Sequence, residues 1–144
     1  MGMVDYNRLD VGDGSPGLEV VFSVDDVRAF LKVAGDSIKV EAYFTDAAAA
    51  ERDGFGSKPV VPGRMGFGYL ERAVLDWMPE ARLEKLDVVY RSPTFVDTKH
   101  VGKAVITDKV ERGGDIRFEL DVHMESEDGT RPYRGAAVVV IPRT

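Results

Sequence analysis

The chain reads as an α+β protein in which one curved antiparallel sheet wraps around one long central helix, and three observations carry that reading. A single extended helical pattern runs from Gly63 to Met78, with Phe67, Leu70, Val74 and Trp77 at spacings of three and four and Pro79 closing it. Everything after it reads as consecutive strands, clearest where Ile116, Phe118, Leu120, Val122 and Met124 alternate with Arg117, Glu119, Asp121, His123 and Glu125. The first turns of the helix carry Gly63, Gly66 and Gly68, each lowering helix propensity by roughly 1 kcal/mol relative to alanine. Such a helix makes sense where something approaches its backbone closely, either strands packed around it or a ligand.

The remaining elements follow in order. Residues 1–17 hold Gly12, Gly14, Pro16 and Gly17 among acidic and polar residues, which predicts an irregular arm over the surface. Leu18 to Phe22 is a short apolar strand. Ser23 caps the next helix, with Asp25 and Asp26 favourable in its first turn; Val27, Phe30, Leu31 and Ala34 form its apolar face and Gly35 ends it. Ile38 to Phe44 alternates as a short strand or extended loop. Thr45 or Asp46 caps a brief alanine-rich helix, Ala47 to Asp53, stopped by Gly54. After the central helix come strands at Leu83–Arg91 and Val101–Val110, a Gly113-Gly114 turn, the alternating strand, an Asp128-Gly129 turn, and Tyr133–Ile141. The run Ala136 to Val140 suits a strand buried on both faces. These last strands are expected to form a four-stranded meander.

A length of 144 residues predicts a single domain with a real core. The absence of cysteine excludes disulfide scaffolds, thiolate metal sites and cysteine nucleophiles, and two scattered histidines do not build a zinc site, so no metal is expected. A net charge of −6 argues against general nucleic-acid binding, while leaving room for a local basic mouth. No apolar run approaches a membrane span and no leader pattern opens the chain, so a cytoplasmic protein is the expectation. Phosphate-loop, dinucleotide, His-Glu-x-x-His and EF-hand patterns are all missing.

The richest stretch for function is Phe55-Gly56-Ser57-Lys58-Pro59-Val60-Val61-Pro62-Gly63-Arg64-Met65, which opens directly onto the central helix. A loop that delivers free backbone N–H groups at a buried helix start is a natural anion or oxyanion site. Lys58 and Arg64 flank it, and Arg91 is expected near it across the fold, a set suited to phosphates. His123 falls on the wet face of its strand and His100 at a loop-to-strand edge among lysines, so both are expected to face solvent.

Several segments in order resemble the MaoC-like family, which includes (R)-specific enoyl-CoA hydratases and acyl-thioester dehydratases. Val24 to Phe30, ending in Ala34-Gly35-Asp36, is similar to the family's first helix and its Gly-Asp terminus. Asp46 to Ala50 with Gly54-Phe55 resembles its Asp-Pro-x-x-Ala-x-x-x-Gly-Phe, and Pro59 to Gly63 stands where it has Pro-x-x-His-Gly. Tyr90-Arg91-Ser92-Pro93 and Gly135-Ala136-Ala137 are similar to its strand signatures. The resemblance implies a hot-dog fold, the family's name for the helix-in-sheet arrangement, assembled as a homodimer or as a heterodimer with another hot-dog subunit.

It also implies an acyl-CoA or acyl-carrier thioester as substrate and no separate cofactor. In the family an Asp/His pair handles water and a loop glycine binds the thioester oxygen. Asp36 matches the aspartate and Gly63 the oxyanion donor. The histidine has no counterpart: Phe44 with Tyr43 beside it stands near the first histidine position, and Pro62 occupies the second. Tyr43 is then the candidate acid, with Phe44, Pro62, Met65 and Phe67 against the acyl chain and Lys58, Arg64 and Arg91 on its phosphates. The functional expectation is a hydratase/dehydratase-like protein, including the form in which the chain is the substrate-binding, non-catalytic half of a heteromer. A hot-dog thioesterase and a non-enzymatic acyl-CoA or small-ligand binder are the alternatives.

Overall fold

The computed structural model describes residues 3–143; Met1, Gly2 and Thr144, which belong to the expected arm and domain, lie outside the described residues. Strand β1 (Leu18–Val21) leads into helix α1 (Val24–Ala34), then the short helix α2 (Ala47–Arg52) and the long helix α3 (Gly63–Trp77). Strands β2 (Arg82–Tyr90), β3 (Lys99–Arg112), β4 (Asp115–Ser126) and β5 (Tyr133–Ile141) follow. The sheet order is β1-β3-β4-β5-β2, each pairing antiparallel.

This order corrects the expected meander. β3, β4 and β5 are joined by hairpins, but β2 crosses to the far edge and pairs with β5 rather than β3. Register breaks at Leu83/Lys85 and Ile106/Asp108 put an extra residue in β2 and β3, the kind of irregularity that bends a strand. The outer side of β3 is covered by β1 and by the N-terminal arm. Gly12 and Ser15 donate backbone N–H groups to Ile106 and Ala104 carbonyls at 2.9 and 2.8 Å, so the arm extends β1 along the strand.

The local elements form for the reasons legible in their residues. Ser23 and Asp26 complete a reciprocal capping box at the start of α1. The Asp46 side chain caps α2 by accepting from Ala48 N–H at 2.9 Å. Residues 38–44 form no strand: an extended stretch ends in a 3-10 turn over Ala42–Phe44 that buries Phe44. Gly113 and Gly114, both at positive φ, turn β3 into β4. β5 is less enclosed than its apolar run suggests, with Ala136 exposed on the outer face.

The core has two parts with α3 between them. Leu70, Val74, Trp77 and Met78 pack on Ile106, Phe118, Leu120, Met124 and Val139 from the sheet. On the other side, Met65 and Tyr69 meet a second cluster formed by Phe22, Val27, Phe44, Val60, Val61 and Val96. The exposed positions of α3 form the stripe Arg64, Gly68, Arg72 and Asp76. The buried face therefore runs through Gly66, Leu70, Ala73, Val74 and Trp77, and Phe67 is only half-buried beside it.

Candidate active-site cleft

The Pro-rich loop is held by backbone bonds that a proline-bearing strand can still make. Val60 N–H donates to Tyr43 O at 2.8 Å, Val61 N–H to Thr94 O at 2.7 Å, and Val96 N–H returns to Pro59 O at 3.1 Å. Pro59 and Pro62, lacking N–H groups, leave no donor unpaired. This stitching fixes Pro62 in front of α3, whose N-terminus has no side-chain cap. Among the described residues the N–H groups of Gly63 and Arg64 have no acceptor within the protein, so the positive end of α3 is available to a ligand oxygen.

A cleft of about 420 Å³ opens at that point. Its walls are aromatic and aliphatic: Tyr43, Phe44 and Phe55 on one side, Val60 and Val61 behind, and Tyr90, Pro93 and Tyr133 opposite. Tyr43 sits 4.7 Å from the Phe55 ring and 4.9 Å from the Phe44 ring. Tyr90 and Tyr133 meet edge-to-face at 5.0 Å. Two helix glycines exist for these rings. A Cβ on Gly63 would lie 2.6 Å from Tyr90 Cε2, and one on Gly66 would run into Tyr133. The close approach expected at the helix start is therefore made by side chains of the two strands that line the cleft; nothing stands near Gly68.

The polar groups of the cleft are few. Buried Thr94 donates its hydroxyl to Tyr133 Oη at 2.8 Å. Burial pushes the Tyr133 phenol up to about 12, with the Thr94 bond opposing. Burial likewise raises Tyr43, helped by the Glu41 charge, and raises Tyr90 against the opposing pull of Arg64. All three phenols hold their protons at neutral pH, and Tyr43 is a poorer acid than a free tyrosine, which works against the acid role anticipated for it. Among the described residues, neither a carboxylate nor an imidazole lines the cleft.

The anticipated site residues separate into two groups. Gly63, Tyr43, Phe44 and Arg91 come together in the cleft. Asp36 does not join them: it is exposed on the 3-10 turn Gly35–Ser37, which reaches α3 through Arg64, whose guanidinium donates to Ser37 O at 3.0 Å. Lys58 is likewise engaged elsewhere, its ammonium donating to Asp97 O at 3.0 Å and Thr98 Oγ1 at 3.2 Å, where it pins the loop before β3. Pro62 is buried behind the loop, Met65 packs into the second cluster, and Phe67 lies off the cleft wall.

Both histidines also differ from expectation. His100 is 1% exposed, bonded to Ser126 Oγ at 2.9 Å and Phe95 O at 3.1 Å, so it is a core residue holding the 95–100 segment to β4. His123 stands on the outer sheet face yet is largely covered. Phe55, Tyr90, Thr94 and Tyr133 line the cleft without a site role expected from the sequence, although Phe55 and Tyr90 fall in stretches singled out there. The glycines at 63 and 66 were the available signal, since each requires a bulky neighbour.

No family model matches the chain, and no curated protein matches it in sequence. Solved structures do. The (R)-hydratase from A. caviae involved in PHA biosynthesis superposes with a TM-score of 0.81 at 21% identity, over 94% of this chain and 98% of that one. The chain has the hot-dog fold. A second hot-dog relative, the MaoC-like dehydratase from Rhodospirillum rubrum, matches over 99% of both chains with a TM-score of 0.81 at 15% identity. A third comes from the ChsH1-ChsH2 complex of Mycobacterium tuberculosis, with a TM-score of 0.76 at 16% identity over 92% of this hot-dog chain and 98% of that one. No helix among the described residues is long and apolar enough to cross a membrane.

Proposed function

We propose that this hot-dog protein binds an acyl thioester in the cleft at the N-terminus of α3 and serves as the acyl-binding half of a hydratase/dehydratase. The observation that carries this reading is the composition of the cleft. Free helix N–H groups and an aromatic wall are present, while carboxylate and imidazole are absent from the lining of the described residues. Adding water across an α,β double bond shifts an electron pair onto the thioester oxygen. A backbone N–H at Gly63 stabilises that negative charge. The same reaction needs one group to take a proton from water and deliver one to carbon. Three phenols with raised pKa values do not take that proton at neutral pH.

In this reading the proton-transfer groups come from a second hot-dog subunit. Similarity to hydratases, dehydratases and a two-component complex supports it. In the single chain β2 is an edge strand, and an edge of that kind is where a second sheet can join. The test is hydration of crotonyl-CoA and of a bulkier enoyl-CoA by the purified chain alone and after addition of candidate hot-dog partners. The expected result is acyl-CoA binding without turnover alone and turnover with a partner. Robust turnover by the chain alone, abolished in Asp36→Asn, would establish a self-sufficient enzyme instead.

A further inference from the structure

A second cavity, of about 620 Å³, lies on the outer face of the sheet, and its lining is unlike that of the cleft. Arg91, Arg131 and Arg134 line it together with His123 and Asp121, and Glu125 stands beside His123 and Arg131 as a second opposing charge. Lys103 stands beside His123 in the β3–β4 register and adds a fourth cation. Glu125 Oε2 is shared loosely among Lys103 at 4.0 Å, His123 at 3.7 Å and Arg131 at 3.8 Å. Arg91 and Arg134 form no ion pair among the described residues, and the His123 Nε2 atom is buried without a hydrogen-bond partner. On a chain of net charge −6, a pocket lined by three guanidinium groups and one carboxylate offers surplus positive charge to an anion.

Arg91, the residue after β2, also lines the cleft, so the two cavities share that residue. Its backbone N–H donates to Pro132 O at 2.7 Å, which brings the strand end against the segment bearing Arg131 and Arg134. We propose that this outer-face pocket receives the phosphate-bearing end of a ligand whose acyl end occupies the cleft, with Arg91, Arg131 and Arg134 as its anchors. The proposal rests on the acyl-thioester reading above and extends it to residues on β5 and the turn before it. Planar guanidinium groups match phosphate oxygens in pairs, which sets the ligand class as a phosphate ester or diphosphate.

The test titrates the full chain and the Arg131→Ala/Arg134→Ala variant with hexanoyl-CoA, hexanoyl-phosphopantetheine and phosphate-free hexanoyl-pantetheine. Both arginines are exposed, so the fold is preserved. Hexanoyl-CoA affinity is expected to fall at least on the order of tenfold and to lose salt dependence, with hexanoyl-pantetheine binding unchanged. Loss confined to the CoA ester assigns the pocket to the nucleotide phosphates; loss shared by the phosphopantetheine ester assigns it to the phosphate nearest the pantetheine arm. Unchanged affinity for both phosphorylated ligands overturns the proposal, as does an equal loss for hexanoyl-pantetheine. If hexanoyl-pantetheine fails to bind the unmodified chain while inorganic pyrophosphate binds and depends on Arg134, the cleft reading falls and the anion pocket stands.

Discussion

Gly66 and Gly68 sit two positions apart on α3 and meet opposite surroundings. A methyl group at Gly66 runs into the Tyr133 ring, whereas nothing lies near Gly68, which faces solvent. Gly66→Ala is therefore expected to destabilise by about 1–3 kcal/mol through overpacking. Gly68→Ala should stabilise by about 0.5–1 kcal/mol, because only helix propensity changes there. Urea denaturation of the two variants checks both signs. His100 supplies a pH dependence. Burial holds its pKa below the ordinary 6.5, with the Phe95 carbonyl bond opposing. The unfolded chain thus takes up a proton near pH 6.5 before the folded chain does, so stability is full above that pH and declines as pH falls toward the folded value. His123 is shifted the same way by burial and by Arg131, and adds to the decline. Denaturation midpoints between about pH 7 and pH 5 should fall, and a histidine NMR titration should place His100 below 6.5.

At the level of elements, the Pro-rich loop decides where the cleft opens, and Lys58 separates two accounts of it. Its ammonium bonds Asp97 O and Thr98 Oγ1, so Lys58→Ala should lower the thermal midpoint while leaving the affinity and salt dependence of acyl-CoA binding unchanged. A phosphate contact at Lys58 would show as weaker, less salt-sensitive binding. Helix and strand boundaries were readable because each carries a local mark: the capping box at Ser23, the alternation from Ile116, the two-glycine turn at Gly113. The position of β2 was not, because its partner β5 lies across two intervening strands and nothing within Arg82–Tyr90 distinguishes one neighbour from another. His100 was misread because Ser126 reaches it only through the β3–β4 hairpin, while Phe95 is turned onto it by the bend of the 95–100 segment. Part of the cleft was legible: Gly63 from the helix start, Tyr43 and Phe44 from the resemblance, and Arg91 as a basic residue expected across the fold. Tyr133 arrives from a strand distant in sequence with no mark beyond Gly66, on which it presses, and Thr94, in the segment after β2, carries none.

For the whole molecule, α3 lies between a sheet and a layer of loops and short helices, with its positive end directed into an apolar cleft. In the proposed reading, that arrangement stabilises charge on a thioester oxygen while the acid–base pair comes from a second subunit. The most direct measurement is a crystal structure of the chain with a non-hydrolysable acyl-CoA analogue. The account predicts the acyl chain between Tyr43, Phe44 and Tyr133, with its carbonyl oxygen about 2.7–3.1 Å from the Gly63 nitrogen. An acyl group seated elsewhere, or a carbonyl turned away from the start of α3, would contradict it.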